Sequence, residues 1–118
     1  CDNPAEAPAS GNLSNHPRGL CLIQNWTAQS DPRVVAQSLH DDMVADMRRE
    51  LAKITAPVTL LYAQDDRATT EAMAKAAFEP QYAGTPNFKP VMVKGSYHFI
   101  MLDQPEKFRV ELRAFLGD

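Results

Sequence analysis

Two short apolar runs in the second half of the chain, 58–63 and 90–94, constrain the fold most. The first holds Val58, Leu60, Leu61, Tyr62 and Ala63 with no charged residue. Such a run is the pattern of a strand buried on both faces of a parallel sheet. Parallel neighbours need a crossover of a dozen or more residues, usually a helix. Between the runs, 70–78 carries Ala72, Met73, Ala76 and Ala77 at helical spacing, and Pro80 limits it. The expectation is an α/β fold with a short parallel sheet flanked by helices.

Helical patterns lie on both sides of these runs. Asp31-Pro32 opens one, because Asp is a good N-cap and Pro suits the first helical position. Val35, Leu39, Met43, Met47 and Leu51 recur every four residues, widened by Val34 and Val44, which predicts one amphipathic helix over 31–52. Its charged face, His40-Asp41-Asp42, is expected in solvent. The last helix is expected to start from an Asp103/Glu106 capping box and to bury Phe108, Leu112, Phe115 and Leu116. Residues 1–30 are punctuated by Pro4, Pro8, Pro17, Gly11 and Gly19 and read as an irregular segment. Only 20–23 reads there as a short buried strand. The expected division is 1–30 and 31–118. Trp26 is expected to anchor the N-terminal segment in the core, and Met43, Met47 and Met73 to lie in it.

Composition excludes several functions. Twelve Lys and Arg against 15 Asp and Glu give a formal charge of −3, with no basic block to attract nucleic acid. No apolar run reaches the roughly 18–20 residues of a membrane span. His16, His40 and His98 have no ligand spacing, so no metal site and no cofactor are expected. Cys1 and Cys21 are too few for a disulfide framework, and the default reading is a reduced pair, with a single bridge as the alternative. A cytoplasmic location is the first expectation. The alternative is a lipoprotein tethered through Cys1, because 1–10 resembles an Ala/Pro/Ser tether.

Chemistry concentrates after the two strands. Asp65-Asp66 follows the first and Gly95-Ser96-Tyr97-His98 follows the second. Ligands in open parallel sheets bind beyond the carboxyl ends of the strands. An imidazole titrates near neutrality and can act as a general base, and a carboxylate can orient it. The simpler alternative is that Asp65 and Asp66 cap the next helix and His98 is a loop residue with one hydrogen bond.

These residues resemble the C-terminal part of the α/β-hydrolase superfamily. The carriers are Leu60-Leu61-Tyr62-Ala63-Gln64-Asp65-Asp66, with Ala63 where that family usually has Gly, then Gly95-Ser96-Tyr97-His98, then Gln104-Pro105-Glu106-Lys107-Phe108. The resemblance runs from about residue 31 to 116 and implies a truncated α/β-hydrolase-like fold. It implies His98 as general base and acid, and Asp66 as the orienting acid with Asp65 as the alternative. The expected activity is carboxylesterase-like hydrolysis of a small-molecule ester.

The family's Gly-x-Ser-x-Gly nucleophile elbow is missing. Ser14 is a poor elbow, and Ser96 stands too close in sequence to His98 to face its ring. Cys21 is a conceivable thiol nucleophile, though a small buried core residue is the simpler reading. The nucleophile is therefore left unassigned. Half of a parallel sheet also leaves an open edge, which predicts a homodimer or a completing chain. The alternative function is a non-catalytic hydrolase-derived module that self-associates.

Overall fold

The βαβ unit read from the two apolar runs forms. A computed structural model describes Cys1 and residues 13–117. The tether expected at 2–10 lies outside the described residues. Strand β1 spans Val58–Gln64 and β2 spans Phe88–Lys94, paired in parallel from Val58↔Phe88 to Gln64↔Lys94. The fold is mixed α/β with a two-stranded parallel sheet flanked by helices.

The helices are α1 (Pro17–Gln29), α2 (Pro32–Val44), α3 (Arg48–Leu51), α4 (Glu71–Phe78), α5 (Ile100–Asp103) and α6 (Pro105–Leu116), with a 3-10 turn at Glu79–Tyr82. α4 begins as expected, with the Thr70 side chain accepting from Met73 N–H. Ala74 of α4 is buried, and the Phe78 ring lies 5.5 Å from that of Tyr62 in β1. Burial raises the Tyr62 hydroxyl to about 12, helped by its 2.6 Å hydrogen bond to Glu79. Among the described residues the buried apolar core is small: Ile23, Tyr62, Ala74, Val93 and Ile100.

Several expectations are corrected. The run 20–23 is helical, inside α1, rather than a strand. Pro17 starts that helix and the His16 ring accepts from Arg18 N–H, while Gly19 and Ile23, four residues apart, form the buried face. A four-residue apolar run cannot by its periodicity tell strand from helix. The single helix expected over 31–52 breaks at Ala45, whose backbone is extended. The Asp46 carboxylate there accepts from the Arg48 N–H and pairs with its guanidinium, a local competitor to helical hydrogen bonding.

The apolar stripe of α2 has no cover among the described residues. Leu39 is 58% exposed and Met43 84%. Met47, Met73, Leu112, Phe115 and Leu116 are exposed as well, so these expected core residues lie at the surface. Trp26 is 48% exposed and meets Phe99 edge-on instead of anchoring the core. The charged face of α2 at His40-Asp41-Asp42 is exposed as expected. The radius of gyration is 16.1 Å, against roughly 13.5 Å for a compact chain of this length. No helix among the described residues is long and apolar enough to cross a membrane.

The cysteines are bonded: Cys1 and Cys21 form a disulfide with Cα atoms 5.6 Å apart. This corrects the reduced pair. It also occupies the sulfur that a thioether anchor on Cys1 would need.

Candidate functional site

Both expected chemical residues follow the carboxyl ends of neighbouring strands. The last rung of the ladder is Gln64↔Lys94. Gly95 N–H donates to Gln64 O at 2.7 Å and Ser96 N–H to the same oxygen at 3.2 Å, which seals the strand ends. Gly95 has φ +73°, a left-handed conformation that glycine adopts without steric cost. The chain turns there and leads to His98.

Beneath the loops lies a buried polar knot built around two carboxylates. Asp103, only 8% exposed, accepts from the Ser14 hydroxyl, from Asn15 N–H at 3.2 Å and from Tyr97 N–H at 2.7 Å. Asp65 accepts from Arg67 N–H at 3.0 Å and from both Nε and a terminal nitrogen of the same guanidinium at 2.8 Å. Asn15 joins the two centres, because its Nδ2 donates to Asp65 at 3.0 Å and to Gly95 O at 2.8 Å. Gln104 Nε2 donates to the same carbonyl at 2.8 Å. Phe99 N–H donates to Leu13 O at 2.9 Å, so residues 13–15 close over the strand ends.

This knot assigns roles that differ from those expected. Asp103 does not cap the last helix: the N-cap position is Gln104, with no side-chain cap. Its carboxylate satisfies three backbone and hydroxyl donors from two segments, 14–15 and the loop at Tyr97, because those donors are buried and need an acceptor. Ser14 is 2% exposed, with its hydroxyl committed to Asp103. A Cβ added at Gly19 would stand 2.2 Å from Ser14 Oγ, so α1 packs directly on that hydroxyl. Ser14 is therefore not an open nucleophile. Ser96 is 1% exposed and donates to Tyr97 O. Cys21 offers no thiolate while its sulfur is in the disulfide.

Asp66 and His98 remain at the surface. Asp66 accepts from Gln64 Nε2 at 2.8 Å, and that amide also donates to Thr69 O. The His98 ring meets the Phe99 ring edge-on at 5.0 Å. No hydrogen bond among the described residues joins His98 to Asp66 or Asp65, so the pair is not assembled in this conformation. Asp65, the alternative acid, is bound to Arg67. That guanidinium holds its carboxyl well below the usual range, against the opposing effect of burial and with help from Asn15. The Arg67 guanidinium also lies 5.5 Å from the centre of the Tyr97 ring.

A groove of about 480 Å³ opens beside Asp103, between His16, Arg18 and Leu22 on one side and Met101 and Pro105 on the other. Its lining includes neither Asp66 nor His98. Among the described residues no cluster of His, Cys, Asp and Glu is placed to hold a metal ion.

Asn15, Arg67 and Asp103 are absent from the sequence reading of the site. One signal for Arg67 was present. Asp-x-Arg occurs at Asp31-Pro32-Arg33, Asp46-Met47-Arg48 and Asp65-Asp66-Arg67, and each time the carboxylate takes the Arg backbone N–H and pairs with its guanidinium. Nothing local marks Asn15 or Asp103, whose partners are remote in sequence. Compared with family models, curated proteins and solved structures, the chain shows no match to any.

Proposed function

We propose that the chain carries the acid–base end of an α/β-hydrolase-type ester-hydrolase site, with His98 as general base and acid and Asp66 as its orienting carboxylate. The observation that supports this reading is topological. Asp66 lies two residues and His98 four residues beyond the last rung of one parallel ladder, and both are exposed. The reading requires the loop carrying His98 to bring its ring to Asp66, while the polar knot holds the base of that loop.

Among the described serines, Ser14 and Ser96 are buried with engaged hydroxyls, Ser30 donates to Trp26 O at 2.7 Å, and Ser38 lies exposed on α2, away from the strand ends in sequence. The reading assigns the attack to water, with no nucleophile named among the described residues. In the water reaction His98 takes a proton from water as its oxygen adds to the ester carbonyl. The tetrahedral adduct expels the alcohol, and the imidazolium returns the proton to it. General-base assistance of this kind contributes about 10²–10⁴-fold. p-Nitrophenyl acetate hydrolysis tests the reading. His98→Ala is expected to reduce product release to the buffer rate, and Asp66→Asn to reduce it less. Turnover that survives His98→Ala rejects the role of His98.

A second reading, a non-catalytic interaction module, is favoured by the absence of a His98–Asp66 hydrogen bond together with the uncovered stripe of α2. It expects no turnover above buffer and no labelling by a fluorophosphonate.

A further inference from the structure

The hydrogen-bond phase of the sheet distinguishes its two edges. Val58 N–H donates to Asn87 O at 2.8 Å and Gln64 O accepts from Gly95 N–H at 2.7 Å. With the register Val58↔Phe88, the ladder turns the backbone groups of Val58, Leu60, Tyr62 and Gln64 toward β2. Those of Thr59, Leu61 and Ala63 point the other way, and no hydrogen bond among the described residues reaches them. On β2 the outward positions are Phe88, Pro90, Met92 and Lys94. Pro90 has no N–H and interrupts that edge.

We propose that the free edge of β1 is a self-association site, at which β1 of a second copy adds antiparallel about a two-fold axis with Leu61 opposite Leu61. The inference uses only register and surface, so it rests on neither functional reading. Three observations select a second copy as the occupant. β1 contains no charged residue, so pairing with itself opposes no like charges. The outward groups are centred on Leu61, so Thr59 falls opposite Ala63 of the second copy, and each such pair exchanges both N–H···O bonds. Beside this edge, Leu112 and Phe115 of α6 are exposed around a groove of about 240 Å³ that Thr59 and Leu61 also line. The two-fold brings the same apolar side chains of both copies over the joined strands. Because Pro90 blunts the opposite edge, the assembly closes at a dimer instead of extending.

Light scattering at micromolar concentration, with amide hydrogen exchange at Leu61, tests this. The expected result is twice the 13.1 kDa chain mass and a Leu61 amide protected in a concentration-dependent way. Thr59→Lys/Ala63→Lys sets lysines opposite lysines and is expected to weaken the dimer about tenfold. Thr59→Lys/Ala63→Glu sets opposite charges there and is expected to restore it, which separates a lost interface from a misfolded chain. Pro90→Thr is expected to give species larger than a dimer. A monomer with an unprotected Leu61 amide overturns the proposal. So does a dimer unaffected by the double lysine variant, since its interface, or a partner of another kind, would then lie elsewhere. Equal loss in both double variants rejects the register.

Discussion

The arm formed by α2 and α3 and the carboxyl end of the sheet use the same local device to opposite effect. Asp46-Met47-Arg48 in the arm and Asp65-Asp66-Arg67 at the strand end both fold the carboxylate onto the Arg backbone and guanidinium. In the arm both partners are exposed, and the pair only helps to end α2. At the strand end the Asp65 carboxylate is buried, and Asn15 and the strand loops are built around it. Exposed ion pairs contribute little, because water solvates each partner nearly as well. A buried carboxylate is committed to its donors, because losing them leaves an unpaired charge out of water. The motif is local, and its weight comes from what surrounds it.

The sharpest way to break this contrast is to remove the second carboxylate of the knot. Asp103→Ala leaves the Ser14 hydroxyl and the N–H groups of Asn15 and Tyr97 without their acceptor. The expected loss is about 3 kcal/mol in urea unfolding, since an unsatisfied buried donor costs about 1–3 kcal/mol and three are exposed to that penalty with partial relaxation. A loss below about 1 kcal/mol would mean that water replaces the carboxylate, so the knot is not buried in solution.

A smaller effect separates the two Asp-x-Arg pairs by pH. Asp65 is held below its ordinary range chiefly by Arg67. A depressed native value stabilises the fold above the unfolded Asp value of about 3.9, and that contribution is lost as pH falls through the native value. Arg67→Ala is therefore expected to be less stable than wild type at neutral pH, with a gap that closes on acidification. Arg48→Ala, where Asp46 lies at about 2 for the same kind of reason, is expected to leave the unfolding midpoint unchanged. Denaturant unfolding across pH 2–7 compares the variants, and equal responses would erase the difference between the regions.

The smallest effect concerns the stripe of α2. Leu39→Ser is expected to change stability by less than about 0.5 kcal/mol, because exposed side chains away from buried contacts contribute little. A loss of about 2 kcal/mol or more, the scale of a buried leucine, would show that the stripe is covered in solution.

Regular local signals were legible in the chain. Asp31 and Pro32 start α2, Thr70 precedes α4, and the apolar runs became β1 and β2. Expectation and structure differ where local pattern has two solutions. The run 20–23 suits a strand or a buried helical face, and the helix prevails once Pro17 and His16 set its start. The stripe of α2 and α3 repeats as one helix would, and the side chain of Asp46 interrupts it. Of the candidate site, the sequence placed Asp66 and His98 beyond the strands. It could not show that Ser14 is buried, because its partner Asp103 is 89 residues away.

The sequence by itself determined the strand–helix–strand order from 58 to 94, the last helix, and the placing of two chemical residues after neighbouring strands. All follow from periodicity, caps and turns, which act within a few residues. Only the tertiary structure decided which carboxylates are buried, that Cys1 meets Cys21, and which strand edge is free. Those depend on distant segments sharing one space, where withdrawal from water makes an otherwise ordinary Asp or Asn a structural centre.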